Sequence, residues 1–547
     1  MPNVKPEMQG VKALQPESAG SQLAILGPAS IIALGNVLSR LLGLGRETVM
    51  ANLFGATGLV SAFRVAAIVP TMLHDLLVGG MVSSALVPVF SEYAERDRAE
   101  LCRVASLVIS LAVAVLGGFT LLGELLAPQI AWLLGGGFSP PLLAETAHLM
   151  RITIPALLFL SLSSIFSGLL YGLRRFAFPA FTTAIFNAAI VLVALLGAGQ
   201  WGIHSMALGL LMGAILQVAL QVPGLRVMRF TPGLDLRDPG LRRILRLSLP
   251  IFAGLVISQI AVGIDRNLAS RTGEQAIAWM QYATTLIQFP LGMVSAAISL
   301  AILPTLSRYA LGWGQSGSLE EEELAAFRAT LGQGLRLVLL LIIPATVGLS
   351  LLAEPVVRLL FQHGDFTPSD TIQTARALRV YLIGLTFAAV DQPLIFAFYA
   401  RQDTLTPAIV GVLGVGIYLA VALPLLRPLG MIGLVLANSM QWAGHALMML
   451  WLLRRPIGGL VNQRVWTTGA QSLLAALLMA VAVMGARWQM EALGSEMTLL
   501  GQLLAVVASA ALGGLFYAGA LAALGVEEWR AAWRWFRATR QTYWSSL

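Results

Sequence analysis

Arginines in and just after the first long apolar run are the residues best suited to chemistry in this sequence. Arg40 and Arg46 stand near the end of that run, Glu47 follows directly, and Arg64 lies in the next run. A guanidinium group presents a planar fork of N–H donors that matches two oxygens of a phosphate. Arg40, Arg46 and Arg64 therefore indicate a site that binds a pyrophosphate group.

A purely structural role for the same charges stays open at this point. Arg40 and Arg46 could extend to the membrane surface, Arg40 could neutralise Glu47, and Arg64 could pair with Asp75 through its neighbours. A charge at membrane depth costs at least about 3 kcal/mol, so it normally faces a cavity or a partner. The sequence does not choose between these alternatives.

Acidic residues in later apolar runs suggest coupling to an ion. Asp265 and Asp391 lie within such runs, and Thr386 shortly precedes Asp391. A carboxylate at membrane depth can carry a proton or, with hydroxyl and backbone oxygens, coordinate sodium. Asp265, Asp391 and Thr386 are therefore candidate ion-coupling residues, although a Thr in a membrane helix commonly bonds to its own backbone.

Composition excludes several kinds of chemistry. Lys5 and Lys12 are the only lysines, so the chain contains no Gly-x-x-x-x-Gly-Lys-Ser/Thr loop for nucleotide hydrolysis. The five histidines are far apart and Cys102 is the only cysteine, which predicts no metal site and no catalytic centre. The net charge of +8 comes from arginines scattered over many connections, a distribution that argues against nucleic-acid binding. We expect no cofactor, and energy from a sodium or proton gradient, the membrane potential or the substrate gradient.

Apolar runs long enough to cross a membrane must position these residues. The chain is 57% hydrophobic and 11% charged, whereas soluble domains carry about 25% charged residues. Runs of about 20 residues recur along it and predict an all-α polytopic membrane protein with about fourteen transmembrane helices. The second and eighth are predicted as single helices over residues 58–91 and 276–309. Arginines favour the even-numbered connections, so both termini are predicted to be cytoplasmic.

Two echoes within the sequence predict a duplicated architecture. The segment PVFSEYA at 88–94 returns as PTLSRYA at 304–310, and YGLRRFAFP at 171–179 returns as YARQDTLTP at 399–407. Both echoes shift by six predicted helices, which preserves orientation and predicts two parallel six-helix lobes around a central cavity. The predicted division is an N-terminal tail (1–24), an N-lobe of helices 1–6 (25–230), a C-lobe of helices 7–12 (231–455), helices 13–14 (456–525) and an amphipathic interfacial tail (526–547).

Longer stretches resemble one known family in order along the chain. They are SRLLGLGRE at 39–47, SALVPVFSEY at 84–93, AWMQYA at 278–283, LFQHGDFT at 360–367 and FYARQDTLTP at 398–407. These segments are similar to the MurJ (MviN) family of lipid II flippases, within the multidrug/oligosaccharidyl-lipid/polysaccharide exporter superfamily. The resemblance implies a transporter, not an enzyme. It would move lipid II, the undecaprenyl-pyrophosphate-linked peptidoglycan precursor, across the bacterial cytoplasmic membrane by alternating access, alongside other cell-wall synthesis proteins.

The resemblance also bears on the candidate site. Arg40 and Arg46 match two arginines of the family's first helix, and Glu47 stands where an acidic residue is usual. The chain departs from the family at positions that are usually charged: Ser61, His74 and Thr285. Arg64 and a protonated His74 would restore two of those charges. The departures leave two alternatives to a lipid II flippase: an exporter of another polyprenyl-linked glycan or amphiphile, and a membrane scaffold that transports nothing.

Overall fold

Long uncharged runs fold as helices because a helix satisfies its own backbone hydrogen bonds in an apolar solvent. The computed structural model describes residues 19–75, 82–226, 228–311, 321–492, 498–531 and 533–534, and in those ranges it contains helices and no strands. Most of the predicted N-terminal tail (1–24) and of the interfacial tail (526–547) lies outside the described residues. The observed fold class is therefore the predicted all-α class.

The helices of the predicted N-lobe cover the spans predicted there, apart from residues 76–81 of the second span, which lie outside the described residues. They are α1 (Ala19–Phe54), α2 (Gly58–His74), α3 (Val87–Arg96), α4 (Arg98–Leu125), α5 (Ala127–Gly135), α6 (Pro140–Thr153), α7 (Ala156–Gly172), α8 (Ala177–Ala180), α9 (Thr182–Trp201) and α10 (His204–Gln221).

The second half of the chain continues in the same way. Its helices are α11 (Pro239–Ser270), α12 (Ala276–Pro290), α13 (Ala296–Tyr309), α14 (Glu321–Leu351), α15 (Ala353–Phe361), α16 (Pro368–Ala400), α17 (Leu405–Leu429), α18 (Met431–Ile457), α19 (Val465–Ala492) and α20 (Leu499–Ala523).

Ten helical stretches in the described part of the chain are long and apolar enough to cross a membrane by length and composition. The other predicted spans fall on α1, on α2 with α3, on α11 and on α18. The chain is a multi-pass membrane protein, and the exact count of fourteen spans stays a prediction.

The eighth predicted span is one continuous helical stretch, Ala276–Tyr309, as predicted, and it contains a π-helical turn at Leu291–Ser295. The second predicted span is helical on both sides of residues 76–81, which lie outside the described residues, and it contains a π-helical turn at Val82–Leu86. A proline lies close to each π-helical turn: Pro88 follows the first turn by two residues, and Pro290 directly precedes the second. Proline lacks the N–H that an α-helix needs for its bond to the fourth residue back, so the ladder widens there.

Backbone details repeat between the two lobes. Arg174 and Gln402 both have positive φ, at 58° and 59°, and so do Gly202 and Gly430, at 52° and 54°. The sequence distance between the two members is the same in both pairs, and it equals the distance between the YGLRRFAFP and YARQDTLTP echoes. This common offset supports the duplication, while the lobe boundaries stay a prediction.

The two lobes meet on one side of the molecule, called here the arginine-poor side, formed by connections 55–57, 136–139, 271–275 and 362–367. Tyr282 Oη donates to the Gly55 carbonyl at 2.9 Å, and the Asp365 amide donates to the Asn52 carbonyl at 3.0 Å. A Cβ on Gly55 would lie 2.4 Å from the Asp365 carbonyl oxygen, and one on Gly364 would lie 2.1 Å from that of Asn52. Because neither glycine has a Cβ, the two backbones can come into direct contact here. Both glycines also have positive φ, a conformation that favours glycine.

Helices α19 and α20 pack on α14, outside the two lobes. Tyr517 of α20 donates to the Leu340 carbonyl of α14 at 2.7 Å, and its hydroxyl lies 2.7 Å from Ser472 Oγ of α19. Other side chains of this pair are exposed and apolar, among them Leu477, Val481, Leu504, Leu515 and Phe516. In a membrane protein such a surface faces lipid.

Candidate substrate-binding site

Glu47 is the centre of a buried charge cluster between α1 and α2. Its side chain is 1% exposed and accepts from Arg46 Nη2 at 2.7 Å and from Arg64 Nη1 at 3.1 Å. Arg64 Nη2 bonds the other carboxylate oxygen, so Arg64 holds Glu47 with both prongs of its fork. Glu47 therefore pairs with Arg46 and Arg64 rather than with Arg40.

Helix α9 fixes the orientation of Arg46. Its Nη1 donates to Asn187 Oδ1 at 3.1 Å, and Asn187 Nδ2 donates to the Ser39 carbonyl at 3.3 Å. The Arg46 side chain remains 27% exposed. A guanidinium has five N–H donors, and these two bonds leave several of them for a ligand. Arg46 is thus both held in place and accessible.

Arg40 reaches from the N-lobe towards the C-lobe. The residue is exposed, and its terminal nitrogens lie where a Cβ on Gly292 would approach them to 2.7 Å. Gly292 belongs to the π-helical turn of the C-lobe. The absence of a side chain at Gly292 lets the Arg40 guanidinium lie against that turn, between the two lobes.

Arg64 also contacts the C-lobe, through Tyr282. Its guanidinium carbon lies 5.7 Å from the centre of the Tyr282 ring, within the range of a cation–π contact. Arg64 stands in the second predicted helix of the N-lobe and Tyr282 in that of the C-lobe, each about two turns from the helix start at Gly58 or Ala276. Equivalent positions of the two lobes therefore stack on each other.

Of the three positions that depart from the family pattern, one lies apart from the arginine cluster. The side-chain hydroxyls of the other two form hydrogen bonds with backbone groups. His74 Nε2 lies 3.4 Å from Ser164 Oγ, about 15 Å along α2 from Arg64. Thr285 donates to the Gln281 carbonyl one turn back in its own helix, at 2.9 Å. Ser61 Oγ accepts from the Ala278 amide at 3.2 Å, which joins the two lobes. The charge cluster therefore consists of Arg46, Glu47 and Arg64, and Arg40 lies about 9 Å before Arg46 along α1, beside the π-helical turn of the C-lobe.

The candidate ion-coupling carboxylates occupy a separate place inside the C-lobe. Asp265 Oδ1 accepts from Tyr418 Oη at 2.7 Å and from Asn438 Nδ2 at 3.2 Å. Asp391 Oδ1 lies 2.8 Å from His445 Nδ1. Thr386 is five residues from Asp391, which places it about 140° around the helix and away from that carboxylate.

Sequence reasoning missed the partners of the candidate residues. Asn187, Tyr282 and His445 are polar or amphipathic side chains within apolar runs, and that signal was available. Their contacts are long-range, however, with 141 residues separating Arg46 from Asn187. Such contacts depend on helix packing, which composition does not specify.

Comparison with known proteins agrees with this architecture. The family profile described as "Lipid II flippase MurJ" matches residues 50–504. A probable lipid II flippase MurJ of Haemophilus influenzae is 31% identical over 471 residues, covering 82% of this chain and 90% of the relative. The lipid II flippase MurJ of Burkholderia cenocepacia is 31% identical over 462 residues, covering 81% and 87%.

Two solved structures share the fold. A lipid II flippase MurJ in an inward closed conformation has a TM-score of 0.72 and 24% identity, covering 89% of this chain and 98% of that one. An inward-facing multidrug-resistance MATE family transporter has a TM-score of 0.62 and 16% identity, covering 78% and 96%. Together with the profile match over most of the sequence, these likenesses show that the chain belongs to the MurJ family of lipid II flippases.

Proposed function

We propose that this protein is a transporter that moves lipid II from one leaflet to the other by alternating access. The observation that carries the proposal is the pairing of Glu47 with Arg46 and Arg64, together with the exposed Arg40, which lies about 9 Å before Arg46 along α1. Three guanidinium groups and one carboxylate leave two positive charges in excess, which balance the two negative charges of a pyrophosphate diester. The names of the relatives supply the identity of the lipid.

Each arginine has its own role in the proposal. Arg40 and Arg46 are the accessible cations, and they donate to the pyrophosphate. Arg64 acts through Glu47 and Tyr282, because its fork is occupied by the carboxylate and its face by the ring. When the two lobes separate on the arginine-poor side, Tyr282 moves away with the C-lobe. The cluster then becomes accessible from the arginine-poor side of the membrane. The polyprenyl tail stays in lipid along the apolar surface of α19 and α20.

Energy for the cycle is proposed to come from an ion gradient or the membrane potential. Asp265 and Asp391 are the coupling residues in this proposal. We place the protein in the bacterial cytoplasmic membrane with both termini in the cytoplasm, because the arginine-rich connections follow the positive-inside rule. Other cell-wall synthesis proteins are the proposed partners.

One observation favours a second candidate, a flippase for a different polyprenyl-pyrophosphate glycan. Ser61 and Thr285 are occupied by backbone hydrogen bonds, and His74 lies away from the arginines. A family member with these residues contacts its substrate with fewer charged groups. Such a site would select among polyprenyl-pyrophosphate glycans differently.

Reconstitution tests both candidates. Proteoliposomes would carry fluorescent lipid II or an undecaprenyl-pyrophosphate glycan without the peptide, and flipping would be read from quencher accessibility. We expect lipid II to move with the wild type and to slow strongly with Arg40→Ala and Arg46→Ala, and the wild type to rescue a flippase-depleted bacterium. Movement of the glycan alone would favour the second candidate. Movement of neither lipid would indicate a scaffold and refute transport.

A further inference from the structure

Asp391 and His445 form a contact of two titratable groups in the middle of the C-lobe. Asp391 Oδ1 lies 2.8 Å from His445 Nδ1, and the side chains are 14% and 16% exposed. His445 stands near the centre of α18, roughly 20 Å from its start. Two ionisable groups at such depth are costly and normally have a function.

The pair adjoins a cavity of mixed polar and apolar lining that also reaches Asp265. The cavity has a volume of about 480 Å³ and lies between α11, α17 and α18. Asn438, Gln441 and His445 line it from one face of α18, as their spacing of three and four residues requires. These side chains form a polar row from His445 to the Asp265 carboxylate, which Asn438 and Tyr418 bind.

Charged and titratable neighbours of the pair come from three helices. They are Tyr399 of α16 itself, Asp265 and Arg266 of α11, and Tyr418 of α17. On the sides of α13 and α14 the surroundings are apolar, since Ala389 and Val390 pack against Ile298, Val338 and Ile342. The pair therefore has apolar neighbours on one side, and His445 borders the cavity on the other.

The N-lobe contains the same contact in a neutral form. Ser163 Oγ of α7 donates to Gln217 Oε1 of α10 at 3.0 Å, and both side chains are buried. Ser163 precedes Asp391, and Gln217 precedes His445, by the same offset that relates Gly202 to Gly430. A neutral hydrogen bond therefore suffices to join these two helices, and the ionisable pair of the C-lobe is not needed for packing.

We propose that the Asp391–His445 pair is a proton-binding site that takes up and releases one proton in each transport cycle, in exchange for the lipid. Nδ1–H of His445 donates to Asp391, and Nε2 is the atom that gains and loses the proton. Imidazole suits this task because it changes charge near neutral pH. The inference rests on the proposed transport function and names the coupling ion of that function.

The test measures how lipid II distributes across proteoliposomes under a pH difference. The full-length protein would be used in potassium salts without sodium, with the membrane potential clamped by valinomycin. If one proton is exchanged per lipid, a pH difference of about one unit holds a roughly ten-fold excess of lipid II on the acidic side. The direction does not depend on how the protein is oriented, because a coupled exchange is reversible.

The decisive variant is Asp391→Ser with His445→Gln, which copies the neutral pair of the N-lobe. We expect it to equilibrate lipid II between leaflets and to lose the pH-driven excess. If the double variant folds poorly, Asp391→Asn takes its place in the test. This variant keeps the hydrogen bond to His445, and we expect it to lose the pH-driven excess as well. His204→Gln is the matched control, because His204 lies 3.3 Å from Glu145 in a more exposed pair and should keep the excess.

Three results would overturn the inference. A wild type that equilibrates lipid II but ignores the pH difference would remove proton coupling and leave the proposed function intact. A variant that keeps the ten-fold excess would move coupling away from this pair. A wild type that moves no lipid II would refute the proposed function, and the inference with it.

Discussion

Replacing Arg64 by Gln separates the two roles that an arginine can have in the candidate site. The Glu47 side chain is 1% exposed and that of Arg64 11% exposed, so the loss of the guanidinium leaves a buried carboxylate with one partner fewer. Removing one partner of a buried ion pair costs about 3–5 kcal/mol. Arg46 remains 2.7 Å from Glu47 and compensates in part, so we expect a loss of about 3 kcal/mol, roughly a hundred-fold in the unfolding equilibrium.

Lipid binding should weaken less than it does when an accessible arginine is lost, because the fork of Arg64 is occupied by Glu47 and only its charge acts on the pyrophosphate. Arg40→Gln is the contrasting variant. It changes an exposed residue, so its stability should stay within about 0.5 kcal/mol of the wild type. Its affinity for lipid II should fall about ten-fold or more, since a hydrogen bond to a charged group is worth about 1.5–3 kcal/mol.

Stability would be measured by reversible unfolding in mixed micelles with increasing dodecyl sulfate, and affinity by equilibrium binding of labelled lipid II. The double variant Glu47→Gln with Arg64→Gln should recover about 0.5–3 kcal/mol relative to the sum of the single changes. If Arg64→Gln kept wild-type stability and bound lipid II ten-fold more weakly, Arg64 would contact the pyrophosphate directly and the positioning role would be refuted.

Three further changes probe the contacts between the lobes and the substrate. Gly292→Ala places a methyl group 2.7 Å from the Arg40 guanidinium; we expect Arg40 to move aside, so lipid II binding weakens in the same assay while unfolding stays unchanged. Tyr282→Phe loses the bond to the Gly55 carbonyl but keeps the ring beside Arg64; unfolding should become easier by about 1 kcal/mol. Arg40→Lys should flip lipid II faster than Arg40→Ala if charge dominates, and equally slowly if the planar fork is required.

The sequence predicts the fold well because the hydrocarbon core of the membrane restricts this chain to long apolar helices. A helix that crosses a bilayer needs a long apolar run, so α4, α14 and α20 can be placed from hydropathy alone. The π-helical turns Val82–Leu86 and Leu291–Ser295 could not be placed in this way. They depend on the backbone geometry near Pro88 and Pro290, and hydropathy does not indicate that geometry.

The site could be predicted by residue type but not by pairing. Arg40, Arg46, Glu47 and Arg64 were identified because charges in apolar runs are costly. Their partners are fixed by packing between distant helices, so the sequence also favoured pairing Arg40 with Glu47. Asp391 was identified as well, but His445 lies 54 residues away and its role as partner becomes visible only in the folded chain.

The glycine contact on the arginine-poor side has a consequence for the permeability of the membrane. Gly55 and Gly364 let the backbones around Asp365 and Asn52 approach each other to contact distance. A protein that carries a large amphiphile needs a wide passage, and the same passage would dissipate ion gradients if it were ever open at both ends. We expect closure to backbone distance at this end to hinder the passage of small ions. We expect a methyl group at Gly55 or Gly364 to push these backbones apart, and the rate of proton entry into proteoliposomes would measure the effect.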